Sequence, residues 1–230
     1  MKVKICGNTS REDAELAVSA GADGLGFLIG LSYPTDDEIT VPQAKEIIAA
    51  VPPLVATVLV THCGKAARVI ETCRSIGANT IQLHAEFSPG DVPWLRAELR
   101  GVKLIKAVQV RGAESIAEAA EASKYYDAIL VDSATATRIG GTGQTHDWRI
   151  SSRIVEAATA PVILAGGLTP ENVREAIITV KPYAVDVNSG VECRNGRKSP
   201  DRVRAFVRQA HDTFEEMADS RPMDKFRIMK

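Results

Sequence analysis

Two side chains stand where short runs rich in Val, Ile and Leu give way to polar chain: Cys6, after Val3-Lys4-Ile5, and Asp132, after Ala128-Ile129-Leu130-Val131. A thiolate and a carboxylic acid facing each other across a site could move a substrate proton between carbon and oxygen. A free thiol has a pKa of about 8.5, so Cys6 as a base needs nearby positive charge or helix dipoles. Asp132 as an acid needs the opposite displacement, through burial or a neighbouring carboxylate. Position alone also allows Cys6 to be a structural thiol and Asp132 to cap the following loop.

Glycines gather at the ends of the later apolar runs. Gly140-Gly141-Thr142-Gly143 follows the sixth, Gly166-Gly167 ends the seventh, and Ser189-Gly190 follows the eighth. Glycine lets backbone N–H groups approach an anion without a side chain between them. Each cluster alone could be a mere turn. Three at successive run ends point to a phosphate site built from Gly141, Thr142, Gly143, Gly166, Gly167, Ser189 and Gly190.

These groups need a frame to hold them. Eight strand signals can be read, at about residues 2–6, 24–29, 54–60, 80–84, 104–110, 128–131, 162–165 and 184–188. They are nearly continuous in apolar residues, as expected of strands covered on both faces. Helical signals lie between them. Ser10 is placed to cap a helix that Gly21 closes, and Pro42 suits a first helical turn. Thr169 and Pro170 read as cap and first residue of the helix after strand seven, and a last helix covers about 199–217. Helical connections force parallel pairing. A count of eight favours an α/β single-domain (β/α)₈ barrel over 1–217, whose reactive groups sit at the C-terminal strand ends. An open doubly wound sheet is the alternative. Residues 218–230 read as a frayed tail or a subunit contact, and the chain as a monomer or homodimer.

Composition narrows the partners. A 230-residue chain suits one such barrel, and a net charge of −1 argues against nucleic-acid or membrane binding. Two Trp residues are too few for a stacking surface. A charged leader with an apolar core and a membrane-length apolar run are both missing, so a cytoplasmic location is expected. Cys6, Cys63, Cys73 and Cys193 show no CxxC spacing, which speaks for free thiols and against a metal.

The motifs in order resemble one family. Lys4-Ile5-Cys6-Gly7-Asn8-Thr9, Gln82-Leu83-His84, Leu130-Val131-Asp132-Ser133, residues 140–148, residues 164–173 and Asp186-Val187-Asn188-Ser189-Gly190-Val191-Glu192 are similar to the phosphoribosylanthranilate isomerase family of tryptophan biosynthesis. The resemblance implies a (β/α)₈ barrel performing an Amadori rearrangement on a small phosphorylated substrate without metal or organic cofactor. It implies Asp132 as the general acid that opens the sugar and Cys6 as the base that takes the C2 proton. It also implies glycine loops around the phosphate and Asp186 in the floor of the site. His84 would line the site or orient a neighbour, or be a hydrogen-bonded rim histidine.

The sequence departs from the family at two places. Asn188 stands where Ser is usual. After strand two the family carries an Arg expected to pair with the anthranilate carboxylate, whereas residues 31–40 hold Asp36, Asp37 and Glu38 and no basic residue. Loss of such a contact removes about 1.5–3 kcal/mol, about ten- to a hundredfold in affinity. The three acids would oppose a carboxylate unless they face solvent. Arg138 and His62 are the candidates to compensate. A relative acting on another phosphosugar, or a barrel that only binds a phosphorylated metabolite, are the rival readings.

Overall fold

The computed structural model describes residues 2–88, 90–133, 147–193 and 196–219. Strands and helices alternate as β1 (Lys2–Ile5), α1 (Arg11–Ser19), β2 (Gly24–Leu28), α2 (Val41–Ala49), β3 (Ala56–Thr61), α3 (Ala66–Ile76), β4 (Thr80–Leu83) and α4 (Asp91–Glu98). They continue as β5 (Lys103–Val110), α5 (Glu114–Ala122), β6 (Ala128–Ser133), α6 (Trp148–Ala157), β7 (Val162–Leu164), α7 (Val173–Val180), β8 (Ala184–Val187) and α8 (Pro200–Asp219). Each strand pairs in parallel with the next, and β8 pairs with β1, so the sheet closes into a barrel. The expected (β/α)₈ architecture is the one found.

Strand geometry explains the continuous apolar runs. Alternate residues point to opposite faces. Val3, Ile5, Leu25, Phe27, Ile129 and Val131 pack outward, in one cluster with helix residues such as Phe206 of α8. Ile105, Ala107, Leu130, Ile163 and Ala165 face the interior in a second cluster. Truncating the fully buried Phe206 to Ala would cost about 3–5 kcal/mol.

Local signals set most boundaries. Ser10 Oγ accepts from the Asp13 N–H at 3.1 Å and starts α1. Thr40, two residues before Pro42, starts α2 through a reciprocal box with Gln43. Three expectations need correction. Strand three begins at Ala56, since Pro52 and Pro53 turn the chain and leave Leu54 96% exposed. Thr169 and Pro170 do not open α7. The Asn172 Oδ1 accepts from the Thr169 N–H at 2.8 Å and Thr169 Oγ1 from the Glu171 N–H at 3.2 Å, closing a turn, and the helix begins at Val173. The helix α6, capped by Asp147, has no counterpart among the sequence-based assignments. The last helix reaches Asp219, and residues 220–230 lie outside the described ones.

Candidate active site

A cavity of about 440 Å³ opens at the C-terminal ends of the strands. Its lining brings together Cys6, His84, Asp132, Gly166, Gly167, Asp186, Ser189 and Gly190. Gly141, Thr142, Gly143 and Arg138 lie outside the described residues.

The floor holds a charge that the sequence reading passed over. Lys4, inside the apolar β1, faces Asp186 of β8 in register. The two form an ion pair of 2.7 Å with both side chains 7% exposed, and Lys4 Nζ also donates to Gln82 Oε1 at 3.0 Å. A Lys in the middle of one apolar strand and an Asp in the middle of another was the available signal. Burial alone would lower the pKa of Lys4, but Asp186 and Cys6 hold it above its ordinary value. The ammonium is therefore a permanent cation beneath the site.

Cys6 sits just past β1, fixed by its N–H to the Val187 carbonyl at 2.8 Å. Its packing depends on Gly26 of β2, where a Cβ would come within 2.6 Å of Sγ. Burial pushes the thiol up to about 11, although Lys4 and, more weakly, Lys198 pull it down. Asp132 is moved in the same direction: burial raises it to about 7, helped by the Asp186 charge and opposed by the Ser133 N–H and Lys4. That N–H donates to Oδ1 at 2.7 Å and sets the rotamer. Gly166 makes room for it. Its φ is +86°, and a Cβ there would collide with Ser133 and stand 2.7 Å from Asp132 Oδ1.

The rim on the β2–β4 side is aromatic. The ring of His62 lies 4.7 Å from that of His84 and 5.2 Å from that of Tyr33, centroid to centroid. Gln82 Nε2 meets His84 Nε2 at 2.9 Å. Burial, with the positive neighbours, drives the His84 pKa down to about 3, and burial also lowers that of His62. The loop after β2 does not simply face solvent. Asp36 and Asp37 line the cavity, and Asp37 Oδ2 accepts from Asn188 Nδ2 at 2.7 Å. Asn188 Oδ1 in turn accepts from the buried Lys198 ammonium, which also pairs with Glu192. Glu38 folds back to accept from the Gly30 and Leu31 N–H groups.

The family model for N-(5'-phosphoribosyl)anthranilate (PRA) isomerase matches residues 3–209. The chain belongs to this family. The N-(5'-phosphoribosyl)anthranilate isomerase of Haloferax volcanii is 44% identical over 209 residues, covering 91% of this chain and 92% of that one. That of Methanocella arvoryzae is 41% identical over 92% of this chain and 99% of its own. The crystal structure of phosphoribosyl anthranilate isomerase from Thermotoga maritima superposes with a TM-score of 0.80 at 34% identity, covering 92% and 99%. A phosphoribosyl anthranilate isomerase in complex with reduced 1-(o-carboxyphenylamino)-1-deoxyribulose 5-phosphate superposes at 0.79 and 31%, again over 92% and 99%. Within this isomerase family the two departures in sequence meet in space. Asn188, in place of the usual Ser, holds Asp37 of the loop that lacks the usual Arg.

Proposed function

We propose that the chain catalyses the Amadori rearrangement of N-(5-phosphoribosyl)anthranilate to 1-(2-carboxyphenylamino)-1-deoxyribulose 5-phosphate in tryptophan biosynthesis. The observation that carries this reading is the placement of Cys6 and Asp132, both buried, in one cavity at the C-terminal ends of the strands.

Asp132 acts first. A carboxyl with a pKa of about 7 holds a proton to deliver at physiological pH, the property a general acid needs. It protonates the furanose ring oxygen, the C1–O bond breaks, and C1 becomes a cationic Schiff base with the arylamine nitrogen. That positive charge acidifies the C2 proton. It also lowers the pKa of a neighbouring thiol, because an opposite charge favours the ionised form. Cys6, a thiol at rest, thus becomes a base when its substrate is ready. Removal of the C2 proton gives the enolamine, and return of a proton to C1 with loss of the hydroxyl proton at C2 gives the ketose. Atoms and electrons balance with no co-reactant. The buried Asp186 Oδ1, without a partner among the described residues, accepts from a sugar hydroxyl.

The turn at Gly166-Gly167 and the short 3₁₀ turn Ser189–Val191 take the phosphate, together with Gly141 to Gly143. Among the described residues no helix is long and apolar enough to cross a membrane, and a cytoplasmic location fits this reading. Loss of anthranilate-type fluorescence on adding the purified protein to fresh substrate tests it, with Cys6→Ala and Asp132→Asn alongside. Turnover that either change reduces at least a thousandfold supports the assignment. Turnover that survives both changes refutes the roles, and none by the folded wild type refutes the substrate.

A further inference from the structure

The cavity is acidic for a site meant to hold a doubly anionic substrate. Asp36, Asp37, Asp132, Asp186 and Glu192 line it, and among the described residues no Lys or Arg does. The barrel order places the glycine turns of β7 and β8 opposite β3 and β4. A substrate whose phosphate lies at the former must therefore lay its other end against the latter, where Tyr33 meets His62 edge to face and His62 lies tilted against His84.

Both histidines are locked as neutral rings. The Ser32 backbone N–H can only donate, and it meets His62 Nδ1 at 3.3 Å, so the lone pair is on Nδ1 and the proton on Nε2. The Lys4 ammonium can only donate, so it fixes Gln82 with Oε1 toward Lys4 and Nε2 toward His84. Gln82 then donates to His84 Nε2, and the His84 proton is on Nδ1. The wall therefore offers π faces, ring edges and the neutral Nε2–H of His62, and among the described residues no cation lines it. Its position is held from two sides, by Ser32 on His62 and by the Asp37–Asn188 contact at the far end of the same loop.

We propose that the substrate is gripped by its aryl ring rather than by its carboxylate, and that the enzyme also isomerises N-(5-phosphoribosyl)arylamines lacking the ortho carboxyl group. Tyr33, His62 and His84 are the specificity-determining residues. This rests on the isomerase reading above. The carboxylate takes no part in the bond changes: the C1–O bond opens, C2 loses a proton and C1 gains one, whatever the ring carries. Aromatic rings attract one another beyond the area they bury. Two of them replace in part what a guanidinium would supply.

The test compares kcat/KM of the wild-type protein for N-(5-phosphoribosyl)aniline and N-(5-phosphoribosyl)anthranilate, following the ketose by chromatography. The expected values lie within tenfold of each other. Tyr33→Leu and His62→Leu are expected to raise KM about five- to tenfold for both substrates. A loss above tenfold on removing the carboxyl group would assign recognition to a cation and overturn the inference. So would variants whose KM stays within twofold of wild type. Failure to turn over either compound would instead bring down the isomerase reading itself, and this inference with it.

Discussion

Replacing Asp132 by Asn is expected to stabilise the protein while abolishing its reaction, and the gain should depend on pH in a defined way. The unfolded carboxyl titrates at its ordinary 3.8, the folded one at about 7. The folded state therefore binds the proton more tightly, and stability falls as pH rises from about 4 to about 7 and is flat above. The whole interval corresponds to about 4 kcal/mol, of which about 1.5 kcal/mol is already lost at pH 5. Asn keeps the shape and the Oδ1 acceptor for the Ser133 N–H, but cannot ionise. The variant's advantage over wild type should thus be larger at pH 8 than at pH 5 by about 3 kcal/mol, seen in urea unfolding. In thermal melts this is about 5–10 °C for a chain of this size. Other titrating groups are common to both proteins and cancel in the comparison. An advantage equal at the two pH values within 0.5 kcal/mol would show that Asp132 ionises freely in the folded state, and would refute its assignment as the acid.

Lys4→Met should cost about 3–5 kcal/mol, because it strands a buried carboxylate on the barrel floor. Adding Asp186→Leu should return most of it, and urea unfolding of the single and the double variant checks both. Gly166→Ala should lose about 1–3 kcal/mol through the strained φ, with activity reduced at least a hundredfold as Asp132 is displaced, measured by melting and by fluorescence turnover. Thr40→Ala, which removes the cap of α2, should lower stability by about 1 kcal/mol in urea unfolding and leave kcat within twofold.

The barrel was legible because each strand is buried on both faces and so reads as an unbroken apolar run. The same rule misled at Leu54, an apolar residue stranded beyond two prolines and exposed. Composition reports what a residue prefers, and chain direction decides where it goes. Thr169-Pro170 failed for a related reason. Asn172, a second residue able to close a turn on Thr169, delayed the helix to Val173. Cys6, Asp132, His84, Asp186 and the two described glycine turns share one cavity, which strand ends foretold. The Lys4–Asp186 pair required register, and register is a property of two strands 182 positions apart. The tie from Asp37 to Asn188 spans 151 positions, and neither residue alone suggests the other.

The buried thiol of Cys6 has a bearing on how the protein survives oxidants. Peroxides attack thiolates, and attack follows ionisation and exposure. With its pKa at about 11 and 6% of its surface exposed, Cys6 presents almost no thiolate, while Cys193 lies open at the surface. Oxidative damage therefore falls first on Cys193 rather than on the thiol proposed as the base. On the proposed mechanism Cys6 is at risk only during the interval when a cationic intermediate lies beside it, and for that interval the substrate itself stands in the way.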